Sequence, residues 1–188
     1  TNSYGYPETY EPWCGKTECL AYDSDFDHPG VAIFAAAGDW GFENEDFGGL
    51  GELAPSFPST SPYVIAVGGT SLKKAENARG WSEDVWGEPE RGIGTVSGCS
   101  RIEEKPAWQE DHGCTEGKTE NDVAADAACA TPVSIYSTPG VGGWTNECGT
   151  SASSPFLAGV EAHSSVTVRA MGAEAFYKAG SAGDLFDV

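Results

Sequence analysis

Residues 147–160 read "ECGTSASSPFLAGV", and this stretch predicts a tight turn that leads directly into a helix. Pro155 is expected in the first turn of that helix, where its missing N–H costs little. The turn would place the Ser151 hydroxyl at a helix N-terminus, beside backbone N–H groups that can stabilise a developing oxyanion. A simpler interpretation also fits, in which Thr150 or Ser151 only caps the helix. A serine nucleophile needs a base, and no histidine of the sequence lies in a comparable setting.

A second stretch, "AAAGDWG" at residues 35–41, places an acid at the end of an apolar run. The run Val31–Ala37 is short and is bounded by glycine, which is typical of a strand buried between two layers. Asp39 therefore predicts a carboxyl group at the tip of a buried strand. The alternative is a turn residue that hydrogen-bonds its own backbone.

The composition is that of an acidic globular protein. Hydrophobic residues make up 39% of the 188 residues, which argues against a disordered chain. The 10 Lys and Arg against 29 Asp and Glu give a net charge of −19, which argues against nucleic acid and membrane surfaces as partners. An acid-acting secreted protein, a salt-adapted protein and a solvated anionic surface all fit this charge. Low pH is favoured, because protonation would relieve the repulsion among the carboxylates.

Six cysteines point to disulfides rather than to zinc, because they lack the paired spacing of zinc ligands. Disulfides in turn indicate a secreted protein. Six cysteines allow 15 pairings. We predict the three local ones, Cys14–Cys19, Cys99–Cys114 and Cys129–Cys148.

Hydrophobic patterning predicts an α/β protein with a buried, mainly parallel sheet and covering helices. Further buried strands are expected at Tyr63–Val67 and Val133–Tyr136, and helices at Ser151–Ser164 and Val166–Ala179. The segment Lys73–Glu120 lacks periodicity and predicts long loops with short strands.

Three motifs together resemble one family, the sedolisins or serine-carboxyl peptidases. "GTSASSP" at residues 149–155 is similar to the Gly-Thr-Ser-x-x-x-Pro signature that they share with subtilisins. "AAAGDWG" resembles the strand end where sedolisins carry Asp and subtilisins proper carry Asn. "FPSTSPYVIAVGGTSL" at residues 57–72 resembles another sedolisin stretch. The resemblance covers essentially the whole chain and implies a three-layer subtilisin-like α/β fold.

The resemblance implies two catalytic residues. Ser151 would be the nucleophile that attacks the peptide carbonyl and forms an acyl-enzyme. Asp39 would be the oxyanion-hole side chain. An ionised carboxylate only accepts hydrogen bonds, so Asp39 could stabilise an oxyanion only as a protonated acid. The resemblance therefore implies peptide hydrolysis at acidic pH, through low ambient pH or a carboxyl whose pKa is raised by burial.

The resemblance also implies a substrate site. "NSYG" near the start resembles the strand on which subtilisin-like enzymes pair an extended peptide, although a surface turn remains an alternative. The expected substrate-binding residues are Ser3, Tyr4, Gly5, Ala36, Ala37, Gly38 and Thr150.

The last residues, "DLFDV", resemble the start of a family calcium site. The Asp187 carboxylate and the Val188 carbonyl would begin an all-oxygen shell, as half of a site. Residues 121–132, "NDVAADAACATP", depart from the family pattern, with Ala128-Cys129 where Asp-Pro is expected. Cys129 would have replaced proline to form a disulfide.

The catalytic base is missing from the sequence. Sedolisins use a Glu held by an Asp four residues later, upstream of the substrate strand, and no Glu-x-x-x-Asp occurs here. We expect residues 1–188 to be the carboxy-terminal part of one sedolisin-like peptidase domain. The Glu and Asp would lie on a missing segment or a second chain. The alternative is a catalytically inactive pseudo-peptidase that serves as a binding or structural protein.

Overall fold

The computed structural model describes residues 1–8, 14, 16–41, 55–109, 113–163, 167–186 and 188. Its strands are β1 (Tyr6–Pro7), β2 (Phe34–Ala36), β3 (Ser56–Phe57), β4 (Ile65–Lys74), β5 (Trp81–Val85), β6 (Gly87–Glu88), β7 (Ile93–Gly94), β8 (Cys99–Glu104), β9 (Gly117–Thr119), β10 (Val123–Asp126), β11 (Val133–Ser137) and β12 (Gly143–Glu147). Its helices are α1 (Lys16–Tyr22), α2 (Thr150–His163), α3 (Thr167–Met171) and α4 (Glu174–Ala182).

A parallel sheet of β10, β4 and β2, in that order, forms the centre of the fold. Phe34 pairs with Ile65 and Val123 with Val67, which sets the register. All of β2 and the first six residues of β4 are buried, as expected for parallel strands covered on both faces. β5 adds an antiparallel strand beyond this core. The predicted α/β class with a mainly parallel sheet is confirmed.

Three helices cover this sheet. α2 packs on β2, β4 and β10. Phe34 and Phe176 meet edge to face, with ring centroids 6.4 Å apart. The core cluster on this side comprises Phe34, Ile65, Val67, Val168, Ala173, Ala175 and Phe176. The expected helix at 151–164 is therefore present from Thr150 to His163, while residue 164 lies outside the described residues. Pro155 lies in the second turn rather than the first.

The prediction of one helix over Val166–Ala179 is wrong. α3 ends at Met171 and α4 begins at Glu174, with Gly172 between them at φ +61°. Glycine adopts this left-handed conformation without a Cβ clash, and it commonly ends a helix. The apolar spacing of the segment holds on each side of Gly172, and the helix is interrupted there.

The prediction that Val133–Tyr136 is a buried strand is also wrong. β11 and β12 form an antiparallel hairpin in which every residue is exposed or half-buried. Tyr136 and Trp144 pair edge to face across it, at 62% and 73% exposure. The aromatic side chains of the hairpin therefore pack against each other across the two strands and not in the core.

The three predicted disulfides are confirmed: Cys14–Cys19, Cys99–Cys114 and Cys129–Cys148. The segment 73–120 contains the short strands β5 to β9 between turns, as predicted. Within the described ranges, the helices are all too short or too polar to cross a bilayer.

Candidate active site

A cavity of about 300 Å³ opens where β2 ends. In α/β sheets, ligands bind outside the carboxyl ends of the parallel strands, and this cavity has that position. Three separate segments and Ser56 form its wall. The lining residues are Ser3, Tyr4, Gly5, Tyr6, Ala36, Ala37, Gly38, Asp39, Trp40, Ser56, Thr150 and Ser151.

The first residues of the chain form one side of the cavity because they are paired with β2. The Asn2 amide donates to the Phe34 carbonyl at 2.8 Å, and the Ala36 amide donates to the Asn2 carbonyl at 2.9 Å. Ser3 and Tyr4 then run along the opening with exposed side chains. At Gly5 a Cβ would lie 2.8 Å from the Phe57 carbonyl oxygen, so only glycine fits there.

The Asp39 carboxyl group is held at the floor of the cavity by α2. One oxygen, Oδ1, accepts a hydrogen bond from the Thr150 amide and another from the Thr150 hydroxyl, each at 2.8 Å. The Thr150 hydroxyl in turn accepts from the Gly38 amide at 3.0 Å. Gly38 has φ +118°, a value that lets the chain turn out of β2 and present Asp39. Asp39 therefore contacts the start of the helix that carries Ser151.

Gly149 allows this approach. Its φ is +86°, and a Cβ there would lie 2.9 Å from Asp39 Cγ. The Gly149 carbonyl accepts from the Ala152 amide at 2.9 Å, which begins the first turn of α2. Ser151 follows with an exposed side chain on the cavity wall. The helix interpretation of "GTSASSP" thus places Ser151 and Asp39 on one cavity.

The nine predicted residues of the catalytic and substrate sites all line this cavity. They are Ser3, Tyr4, Gly5, Ala36, Ala37, Gly38, Asp39, Thr150 and Ser151. Sequence reasoning missed Tyr6, Trp40 and Ser56, although Trp40 lies within the motif at residues 35–41 and the other two are each adjacent to a motif. Asp187 lies outside the described residues, and the exposed Val188 is not part of the cavity. Among the described lining residues, Asp39 is the one carboxylate, and no histidine accompanies it.

Three buried glutamates lie close to one another, and sequence reasoning missed them. Glu8, Glu103 and Glu120 are 2%, 6% and 2% exposed. The Glu120 carboxyl group accepts a hydrogen bond from the Ser56 amide at 3.2 Å, which connects the cluster to the cavity wall. Glu8 accepts from the Ser100 hydroxyl at 2.6 Å. We call these three residues the acid cluster.

Burial controls the protonation of the acid cluster. Removal from water raises the pKa of Glu120 to about 8. Burial, and secondarily the negative charge of Asp23, raise the pKa of Glu103 to about 8. Burial also raises the pKa of Glu8. The fully buried Lys118 ammonium pairs with Asp122 at 3.3 Å, so its charge is already shared with another carboxylate. Glu103 and Glu120 therefore hold their protons at neutral pH.

The acid cluster does not have the arrangement of a metal site. In the described part of the chain, no group of three or more His, Cys, Asp or Glu side chains is placed to hold a metal ion. Both oxygens of Glu8 and one oxygen of Glu120 accept hydrogen bonds from hydroxyl and amide groups, while Glu103 Oε1 and Glu120 Oε2 are buried with no hydrogen-bond partner among the described residues. Ser59 donates its hydroxyl to Glu120 and Arg101 its amide to Glu8.

Comparison with known proteins identifies the fold family. A family model, described as the subtilase family, matches residues 1–171. The chain belongs to the subtilase family. Among curated proteins this subtilase is similar to kumamolisin from Bacillus sp. (strain MN-32), with 38% identity over 142 residues, which is 71% of the chain and 24% of kumamolisin. Sedolisin from Pseudomonas sp. (strain 101) is 37% identical over 110 residues, 56% of the chain and 18% of that protein.

A solved structure also resembles this subtilase. It is Pseudomonas sedolisin, a serine-carboxyl proteinase, complexed with two molecules of pseudo-iodotyrostatin. The TM-score is 0.74 at 29% identity, and the match covers 97% of this chain and 52% of the sedolisin chain. The sedolisin-like subtilisin fold predicted from the three motifs is therefore confirmed. The chain spans about a quarter or less of the curated relatives it matches, and about half of the solved sedolisin chain.

Proposed function

We propose that this subtilase chain is part of an acid-acting, secreted serine-carboxyl endopeptidase. One observation carries the proposal: Asp39 Oδ1 accepts both Thr150 donors, and the next residue, Ser151, is exposed on the same cavity. This arrangement brings a hydroxyl nucleophile and a carboxyl group to one opening. Kumamolisin and sedolisin, the relatives described above, support the reaction class.

In the proposed reaction, the Ser151 hydroxyl oxygen attacks the carbonyl carbon of a peptide bond and passes its proton to a base. The carbonyl oxygen becomes an oxyanion, and Asp39 donates a hydrogen bond to it. Because both Thr150 donors point at Oδ1, the Asp39 proton belongs on Oδ2. The tetrahedral intermediate then collapses to an acyl-enzyme on Ser151, and the base protonates the leaving amine. Water releases the acyl group by the reverse sequence of proton transfers.

The base is proposed to be a Glu held by an Asp, on a segment or second chain beyond residues 1–188. The described cavity wall supplies no such pair, and Tyr4, Tyr6 and Asp39 are its titratable groups. Removal of a triad member commonly lowers kcat by several orders of magnitude. Activity is therefore expected only of the protein that contains both parts.

The peptide or protein substrate is proposed to lie extended along Ser3, Tyr4 and Gly5. These residues continue the strand that pairs with β2 through Asn2, so their backbone groups are aligned with the sheet. An extended peptide that added to this strand would pass Gly38 and reach Ser151. The side chain before the cleaved bond would enter the cavity beside Ala36 and Ala37.

Secretion and calcium belong to the proposal as well. The three disulfides support an oxidising compartment. We propose calcium only for the complete protein, with Asp187 and the Val188 carbonyl as the first ligands. In the described part of the chain no group of three or more His, Cys, Asp or Glu side chains is placed to hold a metal ion, and no step of the reaction uses calcium. Elemental analysis of the purified complete protein tests this part.

The experiment compares Ser151→Ala with Ser82→Ala in the full-length protein, using an internally quenched peptide at pH 3–5. Ser82 is an exposed serine on β5, away from the cavity, and serves as the matched control. Ser151→Ala should remove activity, and Ser82→Ala should leave it unchanged. Peptide cleavage that survives Ser151→Ala would overturn the proposed nucleophile. A full-length protein with no peptidase activity at any pH would favour the inactive alternative.

The proposed role of Asp39 is tested by replacing its carboxyl group with an amide. Asp39→Asn keeps an oxygen for the two Thr150 donors and supplies an N–H donor that needs no acid. Its activity should extend to higher pH than that of the unmodified protein. Asp39→Ala should lower kcat by about 10²–10³-fold, the usual effect of deleting an oxyanion donor. An unchanged pH profile in Asp39→Asn would contradict the proposed role of a protonated Asp39.

A further inference from the structure

The hairpin of β11 and β12 has little anchorage of its own. None of its strand residues is fully buried, and its aromatic pair, Tyr136 and Trp144, faces solvent. Elements with few buried contacts open most easily in native proteins. The hairpin is therefore a poorly fixed arm of the fold.

This arm leads directly into the candidate active site. β12 ends at Glu147, and Cys148, Gly149, Thr150 and Ser151 follow without a spacer. Any displacement of the hairpin base would reach Gly149, whose Cα lies against the Asp39 carboxyl group. The hydrogen bonds from Thr150 to Asp39 depend on that position.

Cys148 forms a disulfide with Cys129, and the Cys129 end of this bond is firmly anchored. Cys129 follows Ala127 and Ala128, which are buried in a small cluster with Trp86. The Ala127 amide donates to the Thr70 carbonyl of β4 at 2.9 Å, and the Cys129 amide donates to Glu88 at 3.3 Å. Cys129 thus moves with the central sheet.

We propose that the Cys129–Cys148 disulfide is a positioning element for Ser151. It joins the poorly fixed arm to the sheet one residue before Gly149, next to the hydrogen bond from the Gly149 amide to the Ala127 carbonyl at 2.7 Å. The two links clamp residues 127–129 to residues 148–149 and isolate the active-site turn from the hairpin. This inference rests on the proposed peptidase function. It states that the disulfide raises kcat by holding Ser151 in position.

The expected size of the effect follows from geometry. A catalytic group displaced by about 1 Å can lose roughly 10²-fold in rate. The walls formed by Ser3–Gly5 and Ala36–Gly38 do not depend on the disulfide, so peptide binding should persist without it. Loss of the clamp should therefore lower kcat and leave KM nearly unchanged.

The test uses the full-length protein and two double variants. Cys129→Ala/Cys148→Ala removes the clamp, and Cys99→Ala/Cys114→Ala is the control, because it removes a disulfide of similar span that does not line the cavity. We expect kcat at pH 4 to fall by about 10–100-fold in the first variant, with KM within about twofold. The control should keep both constants. Hydrogen exchange at the amides of Gly149 and Thr150 should accelerate only in the first variant.

Each outcome decides the proposal. Unchanged kcat and unchanged exchange in the first variant would overturn it. Equal losses in both variants would also overturn it, since they would indicate general destabilisation. An unmodified protein that is inactive, or active independently of Ser151, would instead refute the proposed function, and the exchange data would still test the clamp.

A second measurement covers a variant that fails to fold. The oxidised protein is treated with a dithiol, which passes two electrons and two protons to one disulfide and itself becomes a cyclic disulfide. Mass spectrometry identifies the reduced pair. Activity should fall in step with reduction of the half-exposed Cys129–Cys148 bond, while the buried Cys14–Cys19 bond stays intact. Full activity after reduction of Cys129–Cys148 would refute the clamp.

Discussion

Asp39 Oδ1 accepts two hydrogen bonds from one residue, Thr150, whose amide and hydroxyl both lie 2.8 Å away. The two residues are 111 positions apart in the sequence, so this contact joins the end of β2 to the start of α2. It fixes which carboxyl oxygen faces the protein and which is left for a ligand. The orientation of Asp39 thus depends on the residue beside the proposed nucleophile.

Thr150→Val should lower kcat because the isosteric side chain lacks the hydroxyl donor to Asp39. Thr150 is fully buried, so the Gly38 amide would also lose its acceptor. We expect a fall of about tenfold or more, which corresponds to one lost hydrogen bond of roughly 1.4 kcal/mol. Thr150→Ser retains the hydroxyl and is the control. Peptide cleavage kinetics at pH 4 distinguish the two, and equal kcat values would contradict the prediction.

Gly149→Ala should abolish activity by displacing Asp39. The added Cβ would lie 2.9 Å from Asp39 Cγ, in a backbone conformation of φ +86° that alanine disfavours. Gly30 has the same φ of +86° with nothing within 4 Å of an added methyl group, which makes Gly30→Ala a matched control for backbone strain. Both variants should lose roughly 1–2 kcal/mol of stability. Only Gly149→Ala should lose peptidase activity. Comparable activity of the two would show that the contact with Asp39 is unimportant.

The free energy of unfolding should fall as pH rises from about 4.5 to about 8. The pKa of Glu103 and that of Glu120 are raised from 4.5 to about 8 in the folded protein. The folded state therefore binds more protons than the unfolded state in this window. The stabilisation that these two protonated glutamates contribute is complete below pH 4.5 and is lost as the pH rises towards 8. Each group contributes a slope of roughly 1.4 kcal/mol per pH unit. Urea denaturation at a series of pH values measures this.

Glu120→Gln is the variant that isolates one contribution to this slope. The amide does not titrate, and its oxygen can still accept from the Ser56 amide and Ser59 hydroxyl. The slope of the unfolding free energy against pH should become shallower by the amount that corresponds to about one bound proton. A steeper or unchanged slope would contradict the assignment of a proton to Glu120. Exposed Glu90→Gln is the control.

Lys118→Met should destabilise the protein by roughly 3–5 kcal/mol, because it leaves the Asp122 carboxylate buried without its cation. Lys118 also donates to the Ser59 carbonyl at 3.1 Å, and that acceptor would lose its partner. Lys73→Met breaks an exposed pair with Asp84 at 3.0 Å and should cost at most about 1 kcal/mol. Chemical denaturation at pH 6 compares the two variants. Equal losses would mean that burial of the Lys118 pair has no special effect.

The sequence predicted what local motifs encode. The residue types at 149–151 are dictated by the turn into α2 and by the close approach of Gly149 to Asp39. Those at 35–39 are dictated by the end of the buried strand β2. The disulfides were predictable because each closes a short loop. Their partners are separated by 5, 15 and 19 residues.

Features that depend on distant contacts were not predictable. Val133–Tyr136 has the composition of a buried strand, yet only the folded chain determines whether an apolar strand is covered by the core or pairs within a hairpin. Glu8, Glu103 and Glu120 look like ordinary surface charges in the sequence. Their burial requires β1, β3 and β8 to come together, and no local pattern signals that.

The acid cluster makes folding a proton-consuming reaction. At pH 6 the unfolded chain has ionised glutamates, while Glu103 and Glu120 bind protons in the folded state. Each molecule that folds should take up to about two protons from the solution, so refolding in a weakly buffered solution should raise the pH. The apparent enthalpy of folding should consequently vary with the ionisation enthalpy of the buffer, so calorimetry in two buffers would count those protons directly.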